Sequence, residues 1–144
     1  MRTETITSAQ NPKIKMLLAL GEKSRTRREN ALFIVEGRKE IRHCIEAGYR
    51  AKALFVCREI ISDRELDSIT GLCDDRCVLY EVPQTIYGKI AYREGTEGVI
   101  AEVEMKDRTL ADVRLRKNPL VVVLESVEKP GNLGAILRTA YAAD

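Results

Sequence analysis

A chain of 144 residues, 44% apolar and 32% charged, can bury one compact core beneath a well-solvated surface. Its apolar runs reach five residues at most, as from Leu120 to Leu124, far short of the ~20 that a membrane-spanning helix needs. The N-terminus carries no secretory apolar segment, so the expected compartment is the cytoplasm.

The net charge of +2 hides an asymmetry. Residues 1–60 hold 13 Lys/Arg against 7 Asp/Glu, whereas residues 61–144 hold 11 against 15. Two readings fit the basic half: a contact with a polyanion, or a solvated helix face.

In chain order, Asn11-Pro12 predicts a helix start, with Asn11 as N-cap and Pro12 at the first helical position. Ile14, Leu17 and Leu18 then share one face. Lys13, Lys15, Lys23, Arg25, Arg27 and Arg28 crowd this segment and the stretch after it. Ala31 to Val35 predicts a buried strand. Gly37 to Ala47 predicts a helix with Ile41, Cys44 and Ile45 inward and Gly48 as its stop. Ala53 to Cys57 is a second apolar strand. Ser62 with Glu65 fits a capping box that opens a helix burying Leu66 and Ile69.

Val78 to Val82 predicts a strand, Pro83 to Ile90 a short helix, and Gly98 to Val103 a further strand. Strands alternating with helices make an α/β layered domain, complete by about Glu104. Residues 105–118 are charged and read as a linker, with or without a short helix from Thr109. A second domain begins at 119: Leu120 to Glu125 reads as a strand of a buried parallel sheet, Ser126 to Gly131 as a loop. A helix from about Asn132 follows, with Leu133, Ile136, Leu137 and Ala140 on its apolar side.

Of the four cysteines, Cys44, Cys57, Cys73 and Cys77, the last two have a loose version of metal-ligand spacing. A zinc site needs two more ligands and the one histidine is His43, so reduced thiols and no metal are expected.

The chemistry concentrates in residues 130–140. A strand, a tight glycine-containing loop and a helix start leave free backbone N–H groups that attract anions, with Asn132 placed to cap and Gly134 keeping the first turn open. Arg138 lies almost two turns on, within reach of a phosphate or sugar edge. An ordinary capped helix with a solvent-facing arginine fits the same residues.

The string Leu124-Glu125-Ser126-Val127-Glu128-Lys129-Pro130-Gly131-Asn132-Leu133-Gly134-Ala135-Ile136-Leu137-Arg138-Thr139-Ala140 resembles the first catalytic motif of the SpoU RNA methyltransferases. That motif centres on N-x-G-x-x-x-R-T, matched by Asn132, Gly134, Arg138 and Thr139. Phe33-Ile34-Val35-Glu36-Gly37 resembles the phrase that opens the family's substrate-binding domain, and Gly95-Thr96-Glu97-Gly98-Val99-Ile100-Ala101 the phrase that closes it. Lys129 departs from the pattern, standing where many members have aspartate.

The resemblance implies an α/β fold: a small ribosomal-protein-like RNA-binding domain over 1–104, then the first strand and helix of a knotted methyltransferase domain over 119–144. It implies methyl transfer from S-adenosylmethionine to a ribose 2′-hydroxyl of rRNA or tRNA, and a homodimer in the full-length protein. The cofactor pocket is expected beyond residue 144, so this chain alone is expected to be inactive and to hold no cofactor-binding residues. Arg138 and Asn132 are the catalytic candidates. Lys13, Lys15, Lys23, Arg25, Arg27 and Arg28 are the candidates for structured RNA. Guanidinium gives up its proton only above about pH 12, so Arg138 is better suited to holding a phosphate and orienting the hydroxyl than to taking its proton. The alternatives are a non-catalytic RNA-binding module and an α/β protein binding nucleotides through Gly131 and Gly134.

Overall fold

The computed structural model describes residues 1–92, 95–115 and 117–143, and divides the chain into two units, Met1–Asp107 and Arg108–Asp144. The first unit is built on a five-stranded sheet. Its strands are β1 (Arg2–Thr5), β2 (Leu32–Glu36), β3 (Ala51–Val56), β4 (Val78–Glu81) and β5 (Val99–Glu104). They lie in the order β1-β4-β3-β5-β2. β1, β4 and β3 pair in parallel, and β5 runs antiparallel to both of its neighbours.

Helices cover both faces, so the strands between them are apolar on both sides. Along β3, Ala53 and Phe55 face one core while Leu54 and Val56 face the other. The first core is closed by α1 (Pro12–Glu22) through Ile14 and Leu17, and by α5 (Gln84–Ile90) through Ile86, Tyr87 and Ile90. The second is closed by α3 (Arg38–Glu46) through Ile41, and by α4 (Asp63–Thr70) through Leu66 and Ile69. Each such Leu or Ile, taken fully out of water, stabilises the fold by roughly 2 kcal/mol before side-chain entropy is set against it.

The expected helix starts are present. Asn11 accepts the Lys13 N–H at 2.9 Å with Pro12 opening α1. Ser62 and Glu65 form the reciprocal capping box of α4, with the Ser62 N–H donating to Glu65 Oε2 at 3.1 Å. α3 ends at Glu46, and the Gly48 N–H turns back to the Ile45 carbonyl at 2.8 Å. Strand ends shift by a residue from the sequence reading, β2 ending on Glu36 and β5 on Glu104.

Two elements had no apolar signal to announce them. β1 is Arg-Thr-Glu-Thr, an edge strand held by parallel pairing with Val78–Glu81. α2 (Ser24–Asn30) buries no residue and ends on Ala31 in the left-handed conformation (φ 51°).

In the second unit a 3-10 turn spans Leu110–Asp112, capped by Thr109, and α6 spans Pro130–Ala142. Two expectations are corrected here. Leu120–Glu125 is not a strand: its backbone pairs with no strand among the described residues, and a strand without a partner has nowhere to place its N–H and C=O groups except water. Leu120 and Val122 instead line a hollow of about 390 Å³ with Leu137 and Ala140. Asn132 does not cap α6. The helix starts two residues earlier because proline is pre-set for the first helical position, which leaves Lys129 at the cap without a side-chain bond.

Candidate nucleic-acid interface and the Asn132–Arg138 helix

The phrases around Glu36 and Glu97 meet in space. Gly37 leads β2 into α3 with φ 105°, a conformation that a side chain disfavours, and its N–H donates to the Val99 carbonyl at 3.3 Å. At the first residue of α3, the Arg38 N–H donates to Glu97 Oε2 at 2.6 Å and Arg38 Nε donates to the same oxygen at 3.1 Å. The Arg38 guanidinium also pairs with Glu65. These bonds to Arg38 hold the Glu97 carboxyl below its usual range.

Gly98 then turns with φ 75°, and a Cβ there would sit 2.8 Å from the Ile61 backbone nitrogen. On the other side of the rim the Tyr92 N–H donates to Glu36 Oε2 at 2.8 Å. Four segments are thereby tied together at one end of the sheet: the end of β2, the start of α3, the residues after α5 and the entry to β5. Glu36, Arg38, Tyr92, Glu97 and Gly98 were not singled out as site residues from the sequence. The one legible signal was the pair of glycine-containing phrases, and nothing in spacing alone says that residues 36 and 97 face each other.

The six basic candidates do not act as one cluster. Arg27 Nη1 donates to the carbonyls of Leu20 (2.7 Å) and Gly21 (3.2 Å), so it finishes the C-terminus of α1 rather than facing outward. Arg25 is paired with Glu29 at 2.6 Å, one turn on along α2. Lys13 sits at the far end of α1, its Nζ 5.8 Å from the Tyr80 ring centroid. Its charge is felt by Glu102, the one buried charged residue of the described core, whose carboxyl is pushed up by burial and pulled back by Lys52 and Lys13. Lys15, Lys23 and Arg28 are exposed and have no ion-pair partner among the described residues. They are available to an external anion, as is Lys13, which is exposed and likewise has no ion-pair partner among the described residues.

In the second unit Arg138 is exposed on α6 and folds back along the helix. Its Nη1 lies 3.4 Å from where a Cβ on Gly134 would be. Asn132 is exposed in the first turn, its N–H donating to the Lys129 carbonyl at 3.0 Å. Six residues apart, Asn132 and Arg138 are separated by about 120° around the helix, so the two do not share a face. Asn132 instead lines an open hollow of about 330 Å³ with Ser126, Val127, Glu128, Lys129 and Ile136. Ser126 adopts φ 53° at its edge, a conformation costly for a residue other than glycine.

Among the described residues no group of three or more His, Cys, Asp or Glu side chains is placed to hold a metal ion. The Cys73 thiol donates to the Ile69 carbonyl at 3.5 Å and packs against the second core, in which Cys77 is buried. No helix among the described residues is long and apolar enough to cross a membrane.

Residues 11–101 match the MRM3-like substrate binding domain family. The chain belongs to that family. Its relatives include tRNA and rRNA methyltransferases. An uncharacterized tRNA/rRNA methyltransferase of Mycolicibacterium vanbaalenii is 33% identical over 116 residues, 76% of this chain and 37% of that protein. The 23S rRNA (guanosine(2553)-2′-O)-methyltransferase RlmP of Bacillus subtilis is 28% identical over 138 residues, 96% of this chain and 50% of that protein. Among solved structures, an RNA 2′-O ribose methyltransferase superposes with a TM-score of 0.77 at 34% identity, covering 97% of this chain and 52% of its own. The SpoU methyltransferase AviRb from Streptomyces viridochromogenes, solved with AdoMet, shares the fold with a TM-score of 0.73 at 24% identity over 92% of this chain. The MRM3-like chain thus spans between about a third and a half of the length of these proteins.

Proposed function

We propose that this chain is the RNA-holding part, and the opening of the catalytic part, of an RNA ribose 2′-O-methyltransferase. The observation that carries the reading is the 34% identity to an RNA 2′-O ribose methyltransferase across 97% of the chain, at a TM-score of 0.77. In this reading residues 1–104 bind structured rRNA or tRNA, 105–118 connect, and 119–144 begin the catalytic domain of a protein that works as a homodimer in the cytoplasm.

S-adenosylmethionine supplies the activated methyl group. The described residues of the second unit do not by themselves make a cradle for it. The hollow beside Asn132 is open to solvent, and no buried polar side-chain atom among the described residues of that unit is left without a partner to aim into it. The roles assigned here are therefore those of the chain's own side chains.

Arg138 presents a planar fork of donors, exposed and clear of the apolar side of α6, suited to gripping a phosphate and orienting the adjacent 2′-hydroxyl. The proton leaves to phosphate or water, because a guanidinium cannot take it at neutral pH. Asn132, in the first turn of the helix, is assigned to shaping the loop that precedes α6. In the first unit Lys15, Lys23 and Arg28 are assigned to RNA phosphates.

The test is methyl transfer by a complete protein carrying this segment, given S-adenosylmethionine labelled in its methyl group and ribosomal or transfer RNA. Label recovered on a ribose 2′-oxygen, seen as a linkage resistant to alkaline cleavage, is the expected result. Label on a base, or none on RNA, overturns the reading.

A further inference from the structure

Tyr92 is 93% exposed, while no other large apolar side chain described in the first unit exceeds the 44% of Met1 and Met105. It is not a loose residue. Its N–H is tied to Glu36 Oε2 at 2.8 Å, and the Ala91 N–H before it closes α5 on the Tyr87 carbonyl at 2.9 Å. A ring on an anchored backbone, held out into water, keeps its apolar faces unused.

Tyr92 and Ala91 line two neighbouring hollows. One, of about 360 Å³, is bordered by Ile60, Gln84 and Thr96. The other, of about 550 Å³, lies between α1, β2 and α5. Its floor is apolar, made by Leu17, Leu18, Ile34 and Ile90, and its rim is charged, with Glu22, Glu36 and Lys89. Gly21 forms part of the wall, where a Cβ would already stand 3.3 Å from Ile34 Cδ1. The size is that of a site for a small planar group.

Charge selects which planar group. Carboxylates on the rim repel a phosphate but accept hydrogen bonds from amino groups. Lys89 on one wall suits a phosphate. Lys15 suits another, because spacings of three and four put Lys15, Leu18 and Glu22 in one row of α1. An apolar slot with both hydrogen-bond acceptors and cations at its rim matches a nucleotide: base inward, backbone outward. Single-stranded RNA is recognised in this way, by stacking unpaired bases on aromatic side chains and reading their edges.

We propose that Tyr92 is the stacking platform for one unpaired nucleobase of the bound RNA, seated over the groove between α1 and α5, with amino-bearing bases favoured over uracil. The proposal rests on the reading of the first unit as the RNA-holding part. It makes that unit a reader of a loop or bulge and not only of phosphate charge.

The test uses the 144-residue chain, an RNA hairpin with an unpaired loop carrying 2-aminopurine, and a fully paired duplex of equal length, over a range of salt. Tyr92→Ala is expected to weaken hairpin binding about tenfold, within the range base–aromatic stacking supplies, and to leave the salt slope and duplex binding unchanged. Tyr92→Phe keeps the affinity. The 2-aminopurine fluorescence is quenched by the parent and by Tyr92→Phe but not by Tyr92→Ala. Hairpins with only uracil in the loop bind more weakly than those with guanine or adenine.

If Tyr92→Ala binds the hairpin like the parent while Lys15→Gln or Arg28→Gln still reduces affinity and salt slope, the stacking platform is overturned and the RNA-holding reading survives. If the parent binds neither RNA at low salt, both fall. Because the ring is almost wholly exposed, its removal leaves the core intact, and matched thermal melts confirm this.

Discussion

Glu97 caps the helix that Arg38 begins: one carboxylate oxygen accepts both the Arg38 backbone N–H, at 2.6 Å, and its Nε, at 3.1 Å. The two residues are far apart in the chain, so this cap is a tertiary contact that welds the entry to β5 onto the start of α3. Glu97→Ala is expected to lower stability by about 1 kcal/mol, the usual cost of losing a cap. A urea titration measures it.

The same bonds give a pH signature. The folded-state pKa of Glu97 lies below its ordinary 4.5, chiefly through the bond from the Arg38 N–H. A depressed carboxyl stabilises the fold above its unfolded pKa and loses that contribution as pH falls through the folded value. Glu102 has the opposite sign. Burial raises its carboxyl, so its charged form costs stability as pH rises from the unfolded pKa through the folded one. Glu102→Gln should therefore melt higher than the parent at pH 7 and lose that advantage near pH 4. Glu97→Gln should melt lower at pH 7, and that difference also shrinks on acidification. Thermal melts across pH 3.5–7 separate the two.

Gly98→Ala should be far more damaging than its size suggests. The left-handed backbone disfavours a side chain, and the new Cβ meets the Ile61 nitrogen at 2.8 Å and Ile60 Cβ at 3.0 Å, neither a flexible tip. A loss of about 3 kcal/mol is expected from strain and displacement together. Gly95→Ala, where a Cβ meets nothing within 4 Å, is the control and should be close to neutral. Equilibrium unfolding of the pair decides.

The alternation of strands and helices was legible because the central strands are apolar on both faces and because Asn11, Pro12, Ser62 and Glu65 mark helix starts in the sequence itself. β1 and α2 were not, since Arg2–Thr5 and Ser24–Asn30 bury almost nothing and carry no periodicity. Leu120–Leu124 shows the converse failure. Five apolar residues satisfy the pattern of a buried strand, but a strand is made by its neighbours, and the described residues provide none there. At the site, composition found the basic residues but not their employment. Arg27 is spent on the Leu20 and Gly21 carbonyls, a use that depends on how α2 folds back on α1.

That division of labour among the basic residues is testable. Arg27→Gln is expected to cost about 1 kcal/mol of stability, through the lost bonds to the end of α1, and to leave the salt dependence of RNA binding nearly unchanged. Lys15→Gln, Lys23→Gln and Arg28→Gln should do the reverse. Each should leave stability within about 0.5 kcal/mol and reduce the slope of log affinity against log salt by somewhat under one unit. If Arg27→Gln alone flattens the slope, the assignment of Arg27 to the helix end is wrong.

Arg138 offers the sharpest separation of chemistry from folding. It is exposed on α6, its guanidinium lying back over Gly134, and the apolar hollow of that unit is lined by Leu137 and Ala140 instead. Arg138→Lys keeps the charge but loses the planar fork. In a complete methyltransferase carrying this segment, loss of that fork should slow methyl transfer about a hundredfold or more, since misplacing a reacting group is that costly. RNA affinity should change little, because the phosphate contacts assigned here lie in the first unit, and the melting temperature should hold. Gly134→Ala probes the same geometry from the other side. Its Cβ would meet Arg138 Nη1 at 3.4 Å, an ordinary contact with a movable tip, so folding and the place of the guanidinium should both be kept. Turnover and RNA affinity close to the parent's are then expected, in contrast to Arg138→Lys. Single-turnover kinetics with RNA in excess read the methyl-transfer step directly. Parent-like rates in a well-folded Arg138→Lys protein would reduce Arg138 to a solvent-facing arginine on an ordinary helix.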